Sequence, residues 1–178
     1  MVNFMNSISE VQLELERAFS FFNGELFQSK CGPCMITIQK SAPNGKTLGW
    51  TTLNKVWHNG NPEKARFEIN VCPHIFHESA KEVLHTLIHK MVHVFLLQND
   101  HKERLRAGGN YHTRKFRDKA SAVGLSVFRT SNYGWAHTEL PDDGRAINAI
   151  SGLNPKTDVF SFARGFFQKK QRAVGRRN

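Results

Sequence analysis

The chain has 178 residues, of which 39% are apolar, and its formal net charge is +10. A chain of this length buries one sizeable core, and because it contains no run of about 18 apolar residues, we expect no transmembrane helix and no membrane partner. Its three cysteines, Cys31, Cys34 and Cys72, are too few for a disulfide scaffold and indicate a reducing compartment.

The N-terminal half is predicted to contain one helix followed by three strands. The stretch Ser7-Ile8-Ser9-Glu10 matches a capping box, and apolar residues then recur at helical spacing to about Asn23. Strands are predicted at 35–38, from Thr47 onward, and at 65–71, with glycine- and proline-containing breaks between them. Because no helix separates these strands, they indicate a small antiparallel or mixed sheet.

A second long helix is predicted from about Ser79 to Gln98, and its wide apolar face indicates that it is largely buried. After a polar loop, the sequence predicts a short helix over 113–123 and strands at 126–129 and 134–140. The apolar pattern weakens beyond Pro141. We therefore predict one domain over residues 1–140 and a basic tail over 141–178 that is partly ordered at most.

The positive charge is concentrated in the C-terminal part of the chain. Residues 1–100 contain nine Lys or Arg and nine Asp or Glu, whereas residues 101–178 contain 16 and six, so the whole excess of ten lies in the second segment. Such asymmetry indicates a polyanionic partner, and we predict non-specific binding of nucleic acid, DNA in the first place. The alternative is a solvated tail that only improves solubility.

His89 and His93 have the spacing of a metal-binding helix. Residues four apart lie about 40° from each other around a helix, so both imidazoles reach one metal ion. His112 follows a glycine-containing loop and can fold back as the third ligand, which a zinc site with one open position requires. Spacing alone also permits a His85–His89 pair. The other alternative, imidazoles in polar gaps of a buried helix, is costly for two unpartnered groups.

Lys90 stands where the His-Glu-x-x-His pattern of zinc peptidases has its glutamate. That glutamate takes a proton from water at the metal, whereas a lysine ammonium has three donors and no acceptor. A unit charge about 5 Å from a divalent ion also repels it by roughly 6 kcal/mol at an effective dielectric constant near 20. We therefore expect weakened zinc binding, and hydrolysis that is impaired or absent.

The order and spacing of these segments resemble the SprT-like (Spartan-like) zinc metallopeptidases, from about Val11 to Leu140. The segments that carry the resemblance are Phe22-Asn23 with Leu26-Phe27, Ile36-Thr37-Ile38, Leu48-Gly49-Trp50, Ile69-Asn70, Thr86–His93, Gly108–His112 with Phe116, and Tyr133-Gly134-Trp135. The resemblance implies an α+β, zincin-like domain in which His89, His93 and His112 hold one Zn²⁺ and His85 takes no part. It also implies relatives that cleave proteins attached to DNA. Many bacterial members have a cysteine-rich zinc ribbon after this domain, but no cysteine follows Cys72 in this sequence.

We accordingly predict a monomeric, cytoplasmic zinc metallopeptidase scaffold that acts on DNA-associated proteins, with association with the nucleoid as a further option. Lys90 occupies the position of its general base. The N-terminus lacks the basic segment of a secretory signal, which favours the cytoplasm. The alternative function is a non-catalytic nucleic-acid-binding protein that zinc stabilises. The predicted phosphate contacts are Arg114, Lys115, Arg117, Lys169, Lys170, Arg172, Arg176 and Arg177.

Cys31-Gly32-Pro33-Cys34 has the sequence of the thioredoxin redox motif. That chemistry requires the first cysteine at a helix N-terminus, where the helix dipole lowers the thiol pKa. Here a strand-like segment follows the motif, so we predict no redox role.

Overall fold

The computed structural model describes residues 7–40, 47–99 and 111–161. In these residues the chain combines helices with two small sheets, which confirms the predicted α+β class. The helices are α1 (Ile8–Phe27), α2 (Ala80–Asn99), α3 (Arg114–Ala122) and α4 (Arg145–Leu153). The strands are β1 (Cys34–Thr37), β2 (Gly49–Thr51), β3 (Phe67–Val71), β4 (Ser126–Thr130) and β5 (Gly134–Glu139). Short 3-10 helices occupy Pro62–Lys64, Pro73–His77 and Thr157–Phe160.

Helix α1 begins with the capping box that the sequence predicts. The backbone N–H of Ser7 donates to Glu10 Oε2 at 2.6 Å, and the Ser7 hydroxyl accepts from the N–H of Glu10 at 3.4 Å. The helix continues past its predicted end, through Gly24 to Phe27. A glycine inside a helix costs about 1 kcal/mol. Burial of Leu26 and Phe27 offsets that cost, because each large side chain contributes about 1.5–3 kcal/mol when it leaves water.

Strands β1, β2 and β3 form a mixed sheet in the order β1-β3-β2, one of the two arrangements that the sequence predicts. Strand β1 is parallel to β3, and β2 is antiparallel to it, with Trp50 opposite Asn70. All five residues of β3 are buried, so the Glu68 carboxylate needs partners. It accepts hydrogen bonds from the indole N–H groups of Trp50 at 3.2 Å and Trp57 at 2.6 Å. In the order β1-β3-β2, strand β2 is an edge strand, and it packs beside α2.

Helix α2 lies at the centre of the core, and its bounds match the predicted ones within one residue. Its buried positions are Val83, Leu84, Thr86, Leu87, Ile88, His89, Met91, Val92, Val94, Leu96 and Leu97. The helix packs against α1, α3, β2 and β3. Its apolar face is therefore explained by contacts on several sides, as the width of that face predicts. Within the described segments, neither this helix nor any other is long and apolar enough to cross a membrane.

Helix α3 and the β4–β5 hairpin form the wall that faces the edge of β2 across α2. The Thr113 hydroxyl caps α3 by accepting from the N–H of Phe116 at 3.2 Å. Strands β4 and β5 pair in antiparallel fashion with Ser126 opposite Glu139, and both pack against α3. The hairpin thus brings Thr138 of β5 within hydrogen-bond distance of His85 and His89 on α2.

Helix α4 corrects the prediction of a basic tail after Leu140. Four of its residues and two of the following 3-10 helix are buried in the common core: Ala146, Ala149, Ile150, Leu153, Val159 and Phe160. The side chain of Arg17 ties the helix end to α1 by donating to the carbonyls of Leu153 at 3.0 Å and Asn154 at 3.2 Å. The domain core therefore continues to Phe160. The helix has nine residues and no side-chain cap at Gly144, although its buried residues recur at helical spacing.

Candidate metal centre

Three histidine side chains converge between α2 and the β4–β5 hairpin. Nε2 of His89 lies 3.3 Å from Nε2 of His93 and 3.2 Å from Nε2 of His112. The third pair, His93 and His112, has its Nε2 atoms 3.0 Å apart. Among the described residues, this is the group of His, Cys, Asp and Glu side chains that is compact enough to hold a metal ion. It consists of the three residues that are predicted as ligands from the sequence.

The geometry suits a shared cation better than a hydrogen-bonded trio. A neutral imidazole presents either an N–H or a lone pair at Nε2. In a triangle of such atoms, at least one edge must therefore bring together two N–H groups or two lone pairs, which repel each other. A central cation removes this conflict, because all three atoms then direct lone pairs at it. Tetrahedral ligands at about 2.0–2.1 Å lie about 3.3 Å from one another, close to the 3.0–3.3 Å seen here.

Helix α2 fixes the first two histidines. They lie one turn apart on the same face, with ring centroids 5.1 Å apart, because residues four apart project in nearly the same direction. The apolar residues between and beside them, Ile88, Met91 and Val92, are fully buried. The helix backbone under His89 and His93 is therefore held by core packing, which leaves the two rings little freedom to separate.

The backbone of β5 fixes the third histidine. The N–H of His112 donates to the carbonyl of Tyr133 at 2.9 Å, and the N–H of Trp135 donates to the carbonyl of His112 at 3.0 Å. Between them, Gly134 has a φ of +65°, and a Cβ atom there would overlap the carbonyl oxygen of His112 and lie 2.8 Å from Cζ of Tyr111. A glycine is therefore required for His112 to approach β5 this closely.

Phe116 forms the floor of the site. Its ring centroid lies 4.9 Å from that of His89 and 4.5 Å from those of both His93 and His112. The side chain is 1% exposed, so it closes the inner side of the cluster to water. In the sequence, Phe116 stands out only as part of a family resemblance. Its spacing of four from His112, across the start of α3, is the signal that relates it to the site.

The surroundings of His89 and His93 hold both rings in the neutral state. Burial, and then the positive charge of Lys90 and the neighbouring histidines, hold the pKa of His89 well below its usual value of 6.5. The same causes, burial first and then Lys90 and His112, hold the pKa of His93 well below that value. Both rings are therefore neutral at pH 7, which is the protonation state that metal binding requires.

Lys90 follows His89 and lines the same cleft. Burial lowers the pKa of its ammonium group to about 8, against an opposing influence of Cys72. Without a metal ion, the group therefore still carries its proton in most molecules at pH 7. In that state it has hydrogen-bond donors and no acceptor. The structure thus places a cation, and not a proton acceptor, next to the histidine cluster.

The histidines open into a cleft with a volume of about 690 Å³, which is within the range of sites that bind ligands larger than an ion. One wall consists of residues of β2 and the segments beside it, including Leu48 and Trp50. The opposite wall belongs to β5 and its turn, with Tyr133 and His137. The half-exposed rings of Tyr111 and Tyr133 stand at the rim, 49% and 52% accessible.

His85 also lines this cleft but lies outside the histidine cluster. Its Nε2 is 3.0 Å from Oγ1 of Thr138 on β5, and the same oxygen is 2.9 Å from Nδ1 of His89. The structure therefore separates the alternatives that spacing alone leaves open, because His89 pairs with His93 and contacts His85 only through Thr138. Nothing in the sequence around Thr138 indicates this role, which depends on how the hairpin docks on α2.

The predicted phosphate contacts lie partly within the described residues. Arg114, Lys115 and Arg117 occupy the first turn of α3. The guanidinium of Arg117 pairs with Asp118 at 2.6 Å and lies 4.9 Å from the ring centroid of Trp135. The remaining predicted contacts, Lys169, Lys170, Arg172, Arg176 and Arg177, lie outside the described residues. The structure therefore places three of the eight, all on one end of α3.

The two cysteines of the Cys31–Cys34 motif are packed as structural residues and not as a redox site. Both cysteines are free thiols, and β1 begins at Cys34, as expected from the strand-like sequence. Burial raises the pKa of Cys31 and of Cys34 to about 12. Thioredoxin-type chemistry requires the opposite shift, because the thiolate is the nucleophile.

Comparisons with known proteins add nothing to this geometry. A scan against models of protein families, a search of curated proteins and a search of solved structures each returned no match.

Proposed function

We propose that this chain is a zinc metallopeptidase scaffold of the SprT-like kind, with a zincin-like domain, in which Lys90 impairs hydrolysis. The observation that carries the proposal is the convergence of three histidine Nε2 atoms within 3.0–3.3 Å at the base of an open cleft. Imidazole nitrogens with this spacing suit Zn²⁺, and three protein ligands with an open side are typical of a catalytic zinc site. The family resemblance of the sequence supports the same proposal.

Each part of the site has a role in this proposal. His89, His93 and His112 hold the ion, and Phe116 orients their rings from below. When bound, zinc supplies Lewis acidity toward a peptide carbonyl. The chain itself must supply the group that accepts the proton of the attacking water, and the protonated ammonium of Lys90 cannot do so. The site is thus equipped to bind a peptide bond and poorly equipped to cleave it.

The cleft suggests how a protein substrate is bound. Edge strand β2 pairs with β3 on one side only and borders the cleft with Leu48, Gly49 and Trp50. An extended polypeptide that follows this edge would cross directly above the three histidines. We propose DNA-associated proteins as the substrate class, because ten excess positive charges lie in residues 101–178.

The test is to restore the acceptor with Lys90→Glu. A positioned general base contributes about 10²–10⁴-fold to rate, so this variant should gain cleavage of an unfolded protein, or of a protein bound to DNA, that the starting chain lacks. Lys90→Met is the matched control, since it removes the cation without adding an acceptor and should stay inactive. A Lys90→Glu protein that contains one zinc per chain and cleaves neither substrate would refute the dormant-peptidase proposal.

A second candidate function is a non-catalytic nucleic-acid-binding protein that zinc stabilises. The observation that favours it is the first turn of α3, which has three basic residues, Arg114, Lys115 and Arg117, and no acidic one. A cation near a helix N-terminus is repelled by the helix dipole, which costs about 0.3–1 kcal/mol for each cation. Bound phosphate groups would offset that cost by pairing with the three basic side chains. Under this proposal, removal of zinc weakens DNA binding, and Lys90→Glu creates no protease activity. DNA affinity that is unchanged after removal of zinc argues against it.

A further inference from the structure

A chain of polar side chains extends from His89 away from the metal cluster. Oγ1 of Thr138 lies between Nδ1 of His89, at 2.9 Å, and Nε2 of His85, at 3.0 Å. On its far side, Nδ1 of His85 lies 3.6 Å from Oε2 of Glu82, one turn earlier on α2. The three groups Glu82, His85 and Thr138 therefore connect a carboxylate to the back of a metal-ligand ring.

The hydrogen positions along this chain follow from the metal site. Nε2 of His89 faces the other two ligands, so a bound cation leaves the ring proton on Nδ1. That N–H donates to Oγ1 of Thr138. The threonine hydroxyl then donates its own hydrogen to Nε2 of His85, which must be unprotonated. The remaining proton of His85 sits on Nδ1 and faces the Glu82 carboxylate.

From this arrangement we infer that Glu82, His85 and Thr138 form the outer shell of the metal centre, and that Thr138 is the positioning residue that fixes the tautomer of His89. The inference rests on the metal site of the proposed function, but not on hydrolysis. An acceptor for the second ring nitrogen orients a ligand histidine and makes it more basic. Here the acceptor is a hydroxyl whose own orientation is set by a second histidine, which in turn faces a carboxylate.

The same bonds define what His85 does. Its Nε2 has a hydrogen-bond partner in Oγ1 of Thr138, and its Nδ1 faces Oε2 of Glu82 at 3.6 Å, which is longer than a hydrogen bond. His85 is therefore not an additional metal ligand. Nor is it available as a proton acceptor in place of the glutamate that position 90 lacks. Burial holds its pKa below 6.5, against the influence of Glu82, so the ring is neutral at pH 7 as the hydrogen-bond directions require.

A purely structural role for Thr138 makes different predictions. In that case the hydroxyl would only fasten β5 to α2, and its loss would lower stability without changing the affinity for metal. The outer-shell role predicts a loss of affinity at constant ligand number. Removal of such a partner typically lowers metal affinity about 10–100-fold.

The experiment compares Thr138→Val, Thr138→Ser and wild type as full-length proteins. Zinc affinity is measured by competition with a chelator, and the absorption of bound Co²⁺ reports the ligand geometry. We expect Thr138→Val to bind zinc about 10–100-fold more weakly and to shift the cobalt spectrum, and we expect Thr138→Ser to restore both. His58→Gln is the matched control, because it removes an exposed imidazole that lies outside both the cleft and the ligand cluster.

His85→Gln provides a second variant in case the valine protein folds poorly, and it should also weaken zinc binding. Equal zinc affinity and equal cobalt spectra in Thr138→Val and wild type would overturn the outer-shell role while leaving the metal site intact. A failure of the wild-type protein to bind zinc would overturn the metal site and the outer shell together. Peptidase activity enters neither measurement, so a failed activity test of Lys90→Glu does not affect this inference.

Discussion

Substitution of Gly134 by alanine tests how the third histidine is held in place. With φ at +65°, an alanine at this position has left-handed backbone strain of about 1–2 kcal/mol. Its Cβ would also overlap the His112 carbonyl oxygen. Relief of that overlap requires movement of His112, which weakens two backbone hydrogen bonds of 2.9 Å and 3.0 Å, each with a net contribution of about 0.5–1.5 kcal/mol. We therefore expect a loss of about 2–5 kcal/mol in the free energy of unfolding, together with weaker zinc binding.

Gly60→Ala is the matched control, since Gly60 has a φ of +87° and a Cβ added there would meet no atom within 4 Å. It should show the strain alone, about 1–2 kcal/mol, and leave zinc binding unchanged. Urea unfolding of the metal-free proteins measures the first quantity, and chelator competition measures the second. If Gly134→Ala is no less stable than Gly60→Ala and binds zinc like the wild type, the close approach of His112 to β5 does not determine the site.

Two further predictions concern stability. Burial alone raises the pKa of Glu14, but hydrogen bonds from Arg17 and the backbone N–H of Lys156, with their positive charges, hold it below its ordinary value of 4.5. A carboxyl group whose pKa is lowered by folding stabilises the fold at pH values above its unfolded pKa. This stabilisation is lost as the pH falls through the folded pKa. Glu14→Gln should therefore be less stable than wild type at pH 7, and it should lose less stability than wild type in acid titrations below pH 4.5. A Glu14→Gln protein with the same acid-unfolding curve as wild type would contradict this assignment. Removal of zinc should lower the melting temperature by several degrees, since a ligand present at about 100 times its dissociation constant stabilises by about 2.7 kcal/mol, whereas His93→Ala should melt at the same temperature with and without zinc.

The sequence predicts the structure best where a feature depends on residues within a single helix. Helix α2 is predicted within a residue because its apolar spacing continues for 20 residues, and His89 and His93 inherit their relative placement from helix geometry alone. Capping by Ser7 and Glu10 is likewise a local interaction between residues three apart. The prediction of His112 as the third ligand depends on a reversal of the chain in the preceding loop, which is a weaker signal than helix spacing. The structure does bring His112 to His89 and His93.

Features that depend on docking between distant elements are not visible in the sequence. Thr138 meets His85 and His89 across 53 and 49 residues of chain, and the hydroxyl reaches them only because β5 lies beside α2. Helix α4 is a different case, because its apolar residues Ala146, Ala149, Ile150 and Leu153 do recur at helical spacing, but the helix is short and has no side-chain cap. Its stability comes from burial of residues such as Ile150 against α1 and from the bonds of Arg17 to its C-terminal end, and not from capping or length.

Under the proposed function, metal binding and hydrolysis are separable, because they depend on different side chains of one turn of α2. The Nε2 atoms of His89, His93 and His112 approach each other closely enough to hold an ion with lysine at position 90 in place. Metal affinity depends on the lone pairs of those atoms and on the groups behind them, so Lys90 weakens it only through its charge. In that proposal, proton transfer depends on an acceptor at position 90, where Lys90 lines the cleft. Under the same proposal, a single side chain therefore removes the reaction while the histidine cluster, its floor at Phe116 and its connection to Thr138 remain intact.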